Sequence, residues 1–348
     1  MDKNISPLKR NSFKYDSIEL FSLISKEQDY IIDSDEDIDR FITDISLSFK
    51  KNNTKNMQYG KRVEKMFPYV ASALGMCKII KQEDSGEIFT NDSILVPDYR
   101  FVLTDKNQFL VEVKNYNQKQ PYDDFLITIK NYNKYLNYAK AMNIPLFFAI
   151  YWRKWGTWTL IDSSAFSKKN NNMCISITDA IMNNNMNVLG DYMIATTFPL
   201  KIRMYADKNK ERKTIGSNIN FTIKSVEFYS ASSIIENKEE QSIIWNLVMF
   251  GRWKESNEVI FEKDSNLVDY IEFVYTPEEK DDSKTYAHIA DASEIISNQY
   301  INATSKSDGS LKNIVPFGFD NKFGIGISNP YIKKDLPLWI FYVSKQDN

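Results

Sequence analysis

Apolar residues in the N-terminal part of the chain recur every three or four positions, which is the spacing of amphipathic helices. One such stripe predicts a helix over residues 35–49, with Ser34 as its N-cap and an acidic first turn. A second stripe predicts a helix over residues 57–74 that ends at Gly75. Pro68 lies inside this second helix and should kink it or split it in two, because proline removes one backbone hydrogen bond.

After Gly75 the pattern changes to short apolar runs that are typical of strands. Strands are expected at residues 77–80, 94–103, 109–116, 145–151 and 158–161. A helix should run over residues 124–141, between the third and fourth strands, and end at Asn143. The order of helix, three strands, helix and two strands predicts a fold of the α/β class.

A polar run at residues 167–172 precedes a region with a different pattern, which predicts an α+β domain. Strand-like segments lie near residues 194–205, 219–229, 259–262, 270–275 and 338–343, and helical patterns lie near 239–249 and 287–297. We therefore expect an N-terminal helical extension at residues 1–54, an α/β core at 55–166 and a C-terminal α+β domain at 173–348.

Overall composition argues against several classes of protein. The 44 Lys and Arg residues are balanced by 46 Asp and Glu residues, so the net charge is -2 and any polyanion site must be local. Two cysteines and one histidine cannot form a disulfide framework or a zinc site. No run approaches the roughly 18 apolar residues of a membrane span. No apolar stretch follows the N-terminus, so we expect a cytoplasmic protein without a membrane partner.

The second and third predicted strands form a hairpin that carries three charged side chains on one surface. Side chains alternate between the two faces of a strand, so Glu112 and Lys114 share a face. A turn centred on Asp105 puts Asp98 opposite Glu112, and a turn centred on Lys106 puts it opposite Lys114. Both registers leave the three groups within cross-strand reach of one another.

This arrangement of charges suits phosphodiester hydrolysis. The neighbouring residues are apolar, so two carboxylates and an ammonium carry a desolvation cost there, which a bound cation offsets. Carboxylate oxygens suit Mg²⁺ or Mn²⁺, which polarise a phosphate and lower the pKa of a bound water. Asp98 and Glu112 would hold the cation, and Lys114 can orient the water or stabilise the developing charge. The alternative is a solvated hairpin face with an ordinary salt bridge.

Pro97-Asp98 and Glu112-Val113-Lys114 resemble the motif of the PD-(D/E)xK nuclease superfamily, which has the restriction-endonuclease-like fold. The resemblance covers roughly residues 57–162, and the motif falls on a hairpin between two helices. It implies an αβββαβ core in which helices flank a mixed central sheet, with residues 55–166 as the nuclease core. It also implies a Mg²⁺-dependent endonuclease that acts on DNA, in a setting such as restriction or phage defence.

The same superfamily often adds a glutamate from the helix before the strands, and Glu64 stands at the matching position. Glu64 would bind the metal directly or through water. Its alternative interpretation is an exposed helix residue, and Glu83, Asp84 and Glu87 compete with it for the metal-binding role.

Some branches of the superfamily carry a Gln-x-x-x-Tyr motif on the next helix. Asn131 and Tyr135 have that spacing, but Asn stands in place of Gln, so no branch is assigned. The basic residues that can meet nucleic-acid phosphates are Lys130, Lys134, Arg153 and Lys154. A plain solvated helix face is the alternative for the two lysines of the helix.

The sequence thus predicts a cytoplasmic endonuclease that uses Mg²⁺, with Mn²⁺ able to substitute, and whose partner is DNA. Its C-terminal domain would serve target recognition, regulation or oligomerisation. A homodimer or higher oligomer would let one assembly cut both strands. No nucleotide cofactor is indicated, because a lone Gly-x-Gly late in the chain is no phosphate loop. Two alternatives stay open: a non-catalytic nucleic-acid-binding module on the same fold, and a nuclease for RNA or for branched or recombination DNA.

Overall fold

The computed structural model of the chain describes residues 5, 17–83, 88–216, 218–263, 265–278, 283–318, 322–328 and 330–343. Within them the helices, numbered in chain order, are α1 Ser17–Gln28, α2 Asp35–Asn52, α3 Lys55–Leu74, α4 Ile129–Met142, α5 Ile177–Met182, α6 Lys238–Phe250 and α7 Ala292–Ala303. The strands are β1 Cys77–Gln82, β2 Tyr99–Leu103, β3 Gln108–Tyr116, β4 Phe125–Thr128, β5 Leu146–Trp152, β6 Thr157–Asp162, β7 Ser167–Lys169, β8 Asn172–Ile175, β9 Met193–Thr197, β10 Leu200–Ala206, β11 Lys213–Ile215, β12 Asn218–Asn220, β13 Ile223–Ser230, β14 Ser233–Ile235, β15 Trp253–Phe261, β16 Val268–Pro277, β17 Tyr286–Asp291 and β18 Leu338–Phe341.

The chain divides into two compact units. The first consists of Met1–Gly190 and Tyr300–Lys322, and the second of Asp191–Gln299 and Phe323–Asn348. Helices and strands are mixed in both, so the predicted mixed α/β class is confirmed. Among the helices given above, none combines the length and the apolar character that a membrane-spanning segment needs.

The first unit is built on a five-stranded sheet with the order β1-β2-β3-β5-β6. The strands β3 and β5 run parallel, whereas every other neighbouring pair in this sheet is antiparallel. A parallel pair needs a long crossover connection, and α4 lies in the connection between β3 and β5. The predicted mixed central sheet is therefore present.

The helices α3 and α4 pack against opposite faces of this sheet. The Phe67 ring of α3 lies 5.6 Å from the Phe101 ring of β2, and the Tyr132 ring of α4 stacks on Phe148 of β5 at 5.9 Å. Phe101 is in register with Phe109 of β3, whereas Phe148 is in register with Glu112 of β3, three residues later. Because side chains alternate along β3, these two contacts lie on different faces.

The helix ends predicted from capping residues are confirmed. Ser34 accepts a hydrogen bond from the Asp37 N–H at 3.3 Å where α2 begins, and Gly75 adopts φ 88° where α3 ends. The predicted split at Pro68 is wrong, because α3 continues through it as one helix. The packing of one apolar helix face outweighs the single lost hydrogen bond. That buried face consists of Val63, Met66, Phe67, Val70 and Ala71.

The helix predicted over residues 124–141 begins later, at Ile129. The residues before it form β4, which pairs antiparallel with β8. Phe125 and Ile127 are buried there and the residues that follow each of them are exposed, which is the two-residue period of a strand. The first part of the predicted helix is therefore wrong, because pairing with a distant strand overrides the local helical spacing.

The polar run at residues 167–172, predicted as a domain boundary, lies inside the first unit. It contributes β7 and the start of β8, which form a three-stranded sheet with the order β4-β8-β7. The pairing of β8 with β4 ties this run to the chain segment before α4. The first unit therefore extends past residue 166 to Gly190 and also includes Tyr300–Lys322.

The second unit contains a five-stranded sheet with the order β14-β13-β10-β16-β15 and a three-stranded sheet with the order β17-β9-β18. Residues 194–205, predicted as one strand, are divided between β9 and β10 with Pro199 between them, since proline cannot donate a ladder hydrogen bond. The helix predicted over residues 287–297 begins only at Ala292. Residues 287–291 instead belong to β17, which pairs with β9.

Candidate active site

The candidate site lies where the ladder between β2 and β3 ends. The last residue pair of this ladder is Tyr99 with Val111, and the register centres the hairpin turn on Asp105. Continued by one residue, this register puts Asp98 opposite Glu112. Of the two registers that the sequence allows, the structure adopts the one that brings the two carboxylates together.

The carboxylate of Asp98 takes the position of a backbone partner beside β3. Residues 94–98 lie outside any strand, so the strand predicted from residue 94 begins only at Tyr99. Pro97 has no N–H to donate, which favours the end of the ladder at this point. The N–H of Val113 donates to Asp98 Oδ2 instead, at 2.8 Å. This bond fixes the Asp98 carboxylate close to Glu112 and Lys114 on β3.

Glu112 is the centre of a buried polar group. Its side chain is buried on the α4 side of the sheet, with 4% of the residue exposed. The ammonium of Lys114 and the hydroxyl of Tyr135 both donate to Glu112 Oε1, the hydroxyl at 2.6 Å. The Lys114 Nζ also lies 5.6 Å from the centroid of the Tyr135 ring. Glu112 and Lys114 thus form an ion pair that one aromatic side chain of α4 covers.

The electrostatics of Asp98 reflect this crowding of carboxylates. Burial raises the pKa of Asp98 most, the Glu112 charge raises it further, and the resulting pKa is about 7. The Val113 hydrogen bond and the Lys114 charge lower it and only partly compensate. An added cation beside Asp98 and Glu112 would favour the ionised form of Asp98 and so offset the effects of burial and of the Glu112 charge on its pKa. Two hard oxygen ligands at this position therefore fit Mg²⁺ or Mn²⁺.

Glu64 lies near this site but is held by two lysines. Its carboxylate is 2.7 Å from Lys61 Nζ and 3.9 Å from Lys65 Nζ, and its charge contributes to the raised pKa of Asp98. Glu64 belongs to α3, whereas Glu112 points toward α4 on the other face of the sheet. In the described part of the chain, no group of three or more His, Cys, Asp or Glu side chains is placed to hold a metal ion. The metal-binding role of Glu64 stays a prediction.

Glu83, the first alternative to Glu64, has other partners. Its carboxylate accepts hydrogen bonds from Arg100 at 3.1 Å and from the Tyr138 hydroxyl at 3.0 Å. Its backbone N–H donates to the carbonyl of Asp98 at 2.9 Å, so Glu83 continues the β1–β2 pairing beside the site. The other two alternatives, Asp84 and Glu87, lie outside the described residues.

The basic residues proposed to contact nucleic acid fall in two places. Lys130 and Lys134 lie in the first half of α4, Lys130 exposed and Lys134 half-buried. Arg153 and Lys154 directly follow β5. The Lys154 ammonium donates to the carbonyl of Lys119, which ties this lysine to a neighbouring loop. Contact with nucleic acid stays a prediction for all four residues.

Tyr135 is the site residue that reasoning from the sequence did not assign. The signal was present, because Tyr135 occupies the tyrosine position of the Gln-x-x-x-Tyr spacing. The motif requires Gln four residues before the tyrosine, and Asn131 stands at that position instead. The structure shows that the tyrosine reaches Glu112 without help from that position.

For the Mg²⁺-dependent cleavage that the sequence predicts, we expect Tyr135→Phe to lower the rate about tenfold and to raise the Mg²⁺ concentration that half-maximal activity requires. The variant keeps the ring beside Lys114 but removes the hydroxyl that orients Glu112. The measurement is initial cleavage rate against Mg²⁺ concentration. Tyr132→Phe is the matched control, because Tyr132 lies on the same helix but its hydroxyl donates to the Ser163 carbonyl at 2.5 Å. Equal rates for the two variants would contradict the orienting role.

No protein-family model matches the sequence, and no curated protein matches it either. Among the solved structures that match is Hjc, a Holliday junction resolvase from the archaeal hyperthermophile Archaeoglobus fulgidus. The two chains are 13% identical, and the match covers 38% of this chain and 96% of Hjc with a TM-score of 0.29. At that identity and TM-score the likeness carries no argument about fold or activity.

Proposed function

We propose that this chain is a metal-dependent nuclease that hydrolyses phosphodiester bonds of DNA at a site formed by Asp98, Glu112 and Lys114. The observation that carries the proposal is the buried Glu112 carboxylate, opposite Asp98 in the hairpin register and bonded to Lys114. Two carboxylates and an ammonium so placed are costly without a ligand, because each charge loses hydration. A phosphodiester with its cation is the kind of ligand that compensates all three charges.

Each residue has a distinct task in this proposal. Asp98 and Glu112 would hold Mg²⁺ or Mn²⁺, and the cation supplies positive charge that polarises the phosphate and acidifies water. Lys114 donates a hydrogen bond to the attacking water or to the charge that develops on the phosphate oxygens. The hydroxyl of Tyr135 keeps Glu112 oriented while Lys114 exchanges its partner. The restriction-endonuclease-like assignment of the core, and a setting in restriction or phage defence, belong to this proposal.

In this proposal, the second unit serves target recognition, regulation or oligomerisation. The net charge of -2 supports this assignment, because a chain with that charge attracts a polyanion only weakly. Binding of a duplex would therefore need a further surface or a second subunit. Paired subunits would also place two active sites on the two strands of a duplex.

The test is incubation of the purified full-length chain with supercoiled plasmid, linear duplex DNA and RNA. We expect cleavage of DNA with Mg²⁺ or Mn²⁺, none with EDTA, and little with Ca²⁺, which holds a looser geometry and activates water less. Undiminished cleavage in excess chelator would refute the metal mechanism. Cleavage of RNA alone or of branched DNA alone would change the assigned substrate. Binding without cleavage under every condition would favour a non-catalytic module.

A further inference from the structure

Two arginines of the first unit share one tyrosine ring near the end of the central sheet. The guanidinium carbon of Arg62, from α3, lies 5.0 Å from the centroid of the Tyr59 ring. The guanidinium carbon of Arg153, directly after β5, lies 5.3 Å from the same centroid. A cation over an aromatic face is weakly attractive, but a second cation on the same ring adds repulsion between like charges.

Arg62 is half-buried and Arg153 is exposed, and neither is paired with a carboxylate of the described residues. Within the residues that the structure describes, neither Arg62 nor Arg153 forms a salt bridge. Arg40 offers a contrast, because it also covers a tyrosine ring, that of Tyr30 at 5.3 Å, but is 2.7 Å from Asp37. Contact with a tyrosine ring therefore does not prevent an arginine from having a carboxylate partner, and it does not account for the missing carboxylate at Arg62 and Arg153.

Arg62 has unused hydrogen-bonding capacity. Its Nη1 donates to the hydroxyl of Ser305 at 3.3 Å, while its buried Nε has no acceptor among the described residues. Burial lowers the pKa of Arg62 most, and the Arg153 charge lowers it further, against the opposing effect of nearby tyrosines. A half-buried guanidinium crowded by a second one, neither of them paired with a carboxylate in the described part of the chain, can recognise an oxyanion, since guanidinium matches phosphate geometry.

The pair lies beside the β3 residue that follows Lys114, on the α3 side of the sheet. Asn115 follows Lys114 on β3, and its amide donates to the Tyr59 carbonyl at 3.5 Å. The register of the parallel strands pairs Lys114 with Ile150, three residues before Arg153 on the neighbouring strand. Three residues of strand span about 10 Å, and the contacts with Tyr59 of α3 place the arginine pair on the α3 face of the sheet, opposite the face that carries Glu112 and Lys114.

We propose that Arg62 and Arg153 bind backbone phosphate of the nucleic acid that occupies the active site, at a position on the α3 face of the sheet. This inference rests on the proposed function for the identity of the ligand, and it adds Arg62, which the sequence did not assign. The contacts would fix the register of the strand without reading its bases, because phosphate oxygens carry no sequence information. Free inorganic phosphate offers the same chemistry without the polymer, and the experiment separates the two sources.

The experiment measures binding in the full-length chain carrying Asp98→Asn, with a short fluorescein-labelled duplex DNA of arbitrary sequence across a series of potassium chloride concentrations. We expect Arg62→Gln and Arg153→Gln each to weaken binding roughly tenfold and to reduce the slope of log affinity against log salt by about 1. Arg40→Gln is the matched control, and it should change neither quantity. Arg62→Lys should retain the salt slope but lose part of the affinity, because lysine keeps the charge and loses the fork.

Unchanged affinity and slope in both arginine variants would overturn the inference, as would a wild-type chain that binds inorganic phosphate but no DNA. Circular dichroism and urea unfolding of each variant establish that the fold is retained, and Arg62→Lys serves where Arg62→Gln unfolds. The two proposals fail in different ways. Cleavage by the wild type with no binding defect in the arginine variants removes only this inference, whereas a binding defect without any cleavage by the wild type removes only the nuclease function.

Discussion

We expect Asp98→Ala, Glu112→Ala and Lys114→Ala each to lower phosphodiester cleavage at least about a hundredfold while the fold is retained. The three groups act as a unit, since Asp98 lies opposite Glu112 in the hairpin register and Glu112 is bonded to Lys114. Removing one therefore removes either a ligand for the cation or the donor that stabilises developing charge. The measurement is single-turnover cleavage of plasmid DNA with Mg²⁺, beside circular dichroism of each variant.

Controls for these variants come from exposed charges elsewhere in the first unit. Asp39→Ala on α2 removes a carboxylate and Lys140→Ala on α4 removes an ammonium, and both residues are exposed. Neither control should slow cleavage. Full activity in any one of the three site variants would refute the site assignment, even if the chain proved to be a nuclease.

We expect Asp98→Asn to stabilise the metal-free chain at alkaline pH and to have little effect in acid. The pKa of Asp98 is raised to about 7 from the ordinary value of 3.8, so the folded state binds the proton more tightly than the unfolded state. The charged carboxylate consequently costs stability above the folded pKa, and that cost disappears as the pH falls toward the unfolded pKa. Three pKa units correspond to as much as about 4 kcal/mol in the free energy of unfolding.

The measurement is urea unfolding of the wild type and of Asp98→Asn in EDTA, at about pH 8 and about pH 4, on either side of the titration. Asparagine can still accept the Val113 hydrogen bond, so the comparison isolates the charge. Added Mg²⁺ should stabilise the wild type at the higher pH and leave the variant almost unchanged, because the cation needs the ionised carboxylate. A difference between the two proteins that stays constant with pH would contradict the raised pKa of Asp98.

Activity should follow the same titration. Because Asp98 must lose its proton before it can hold a cation, cleavage by the wild type should rise with pH through the region below and around about 7. This dependence comes from the direction of the Asp98 shift and would be absent if the carboxylate took no part.

Local pattern was sufficient for the elements whose signals lie within a few residues. Ser34 and Gly75 set the start of α2 and the end of α3, because capping depends on the chain immediately beside the helix. The alternation of Glu112 and Lys114 on β3 likewise needed only the two-residue period of a strand. The candidate chemistry was therefore readable from the sequence, as two carboxylates and a lysine at fixed spacing.

The local pattern could not predict which distant segments of the chain pair with one another. Phe125–Thr128 has apolar spacing compatible with a helix, and only its partner β8 makes it a strand. Residues 287–291 became β17 for the same reason, through pairing with β9. The inclusion of Tyr300–Lys322 in the first unit also depends on contacts between residues far apart in the chain.

The sequence by itself determined the two main N-terminal helices, the hairpin and the identity of Asp98, Glu112 and Lys114 as a candidate site. Only the tertiary structure decided which register joins the two carboxylates, that Tyr135 holds Glu112, and that Arg62 and Arg153 meet over Tyr59. The physical reason is the range of the interactions. Helix and strand periods are set by backbone geometry over a few residues, whereas burial, charge and aromatic contacts depend on which distant segments the fold brings together.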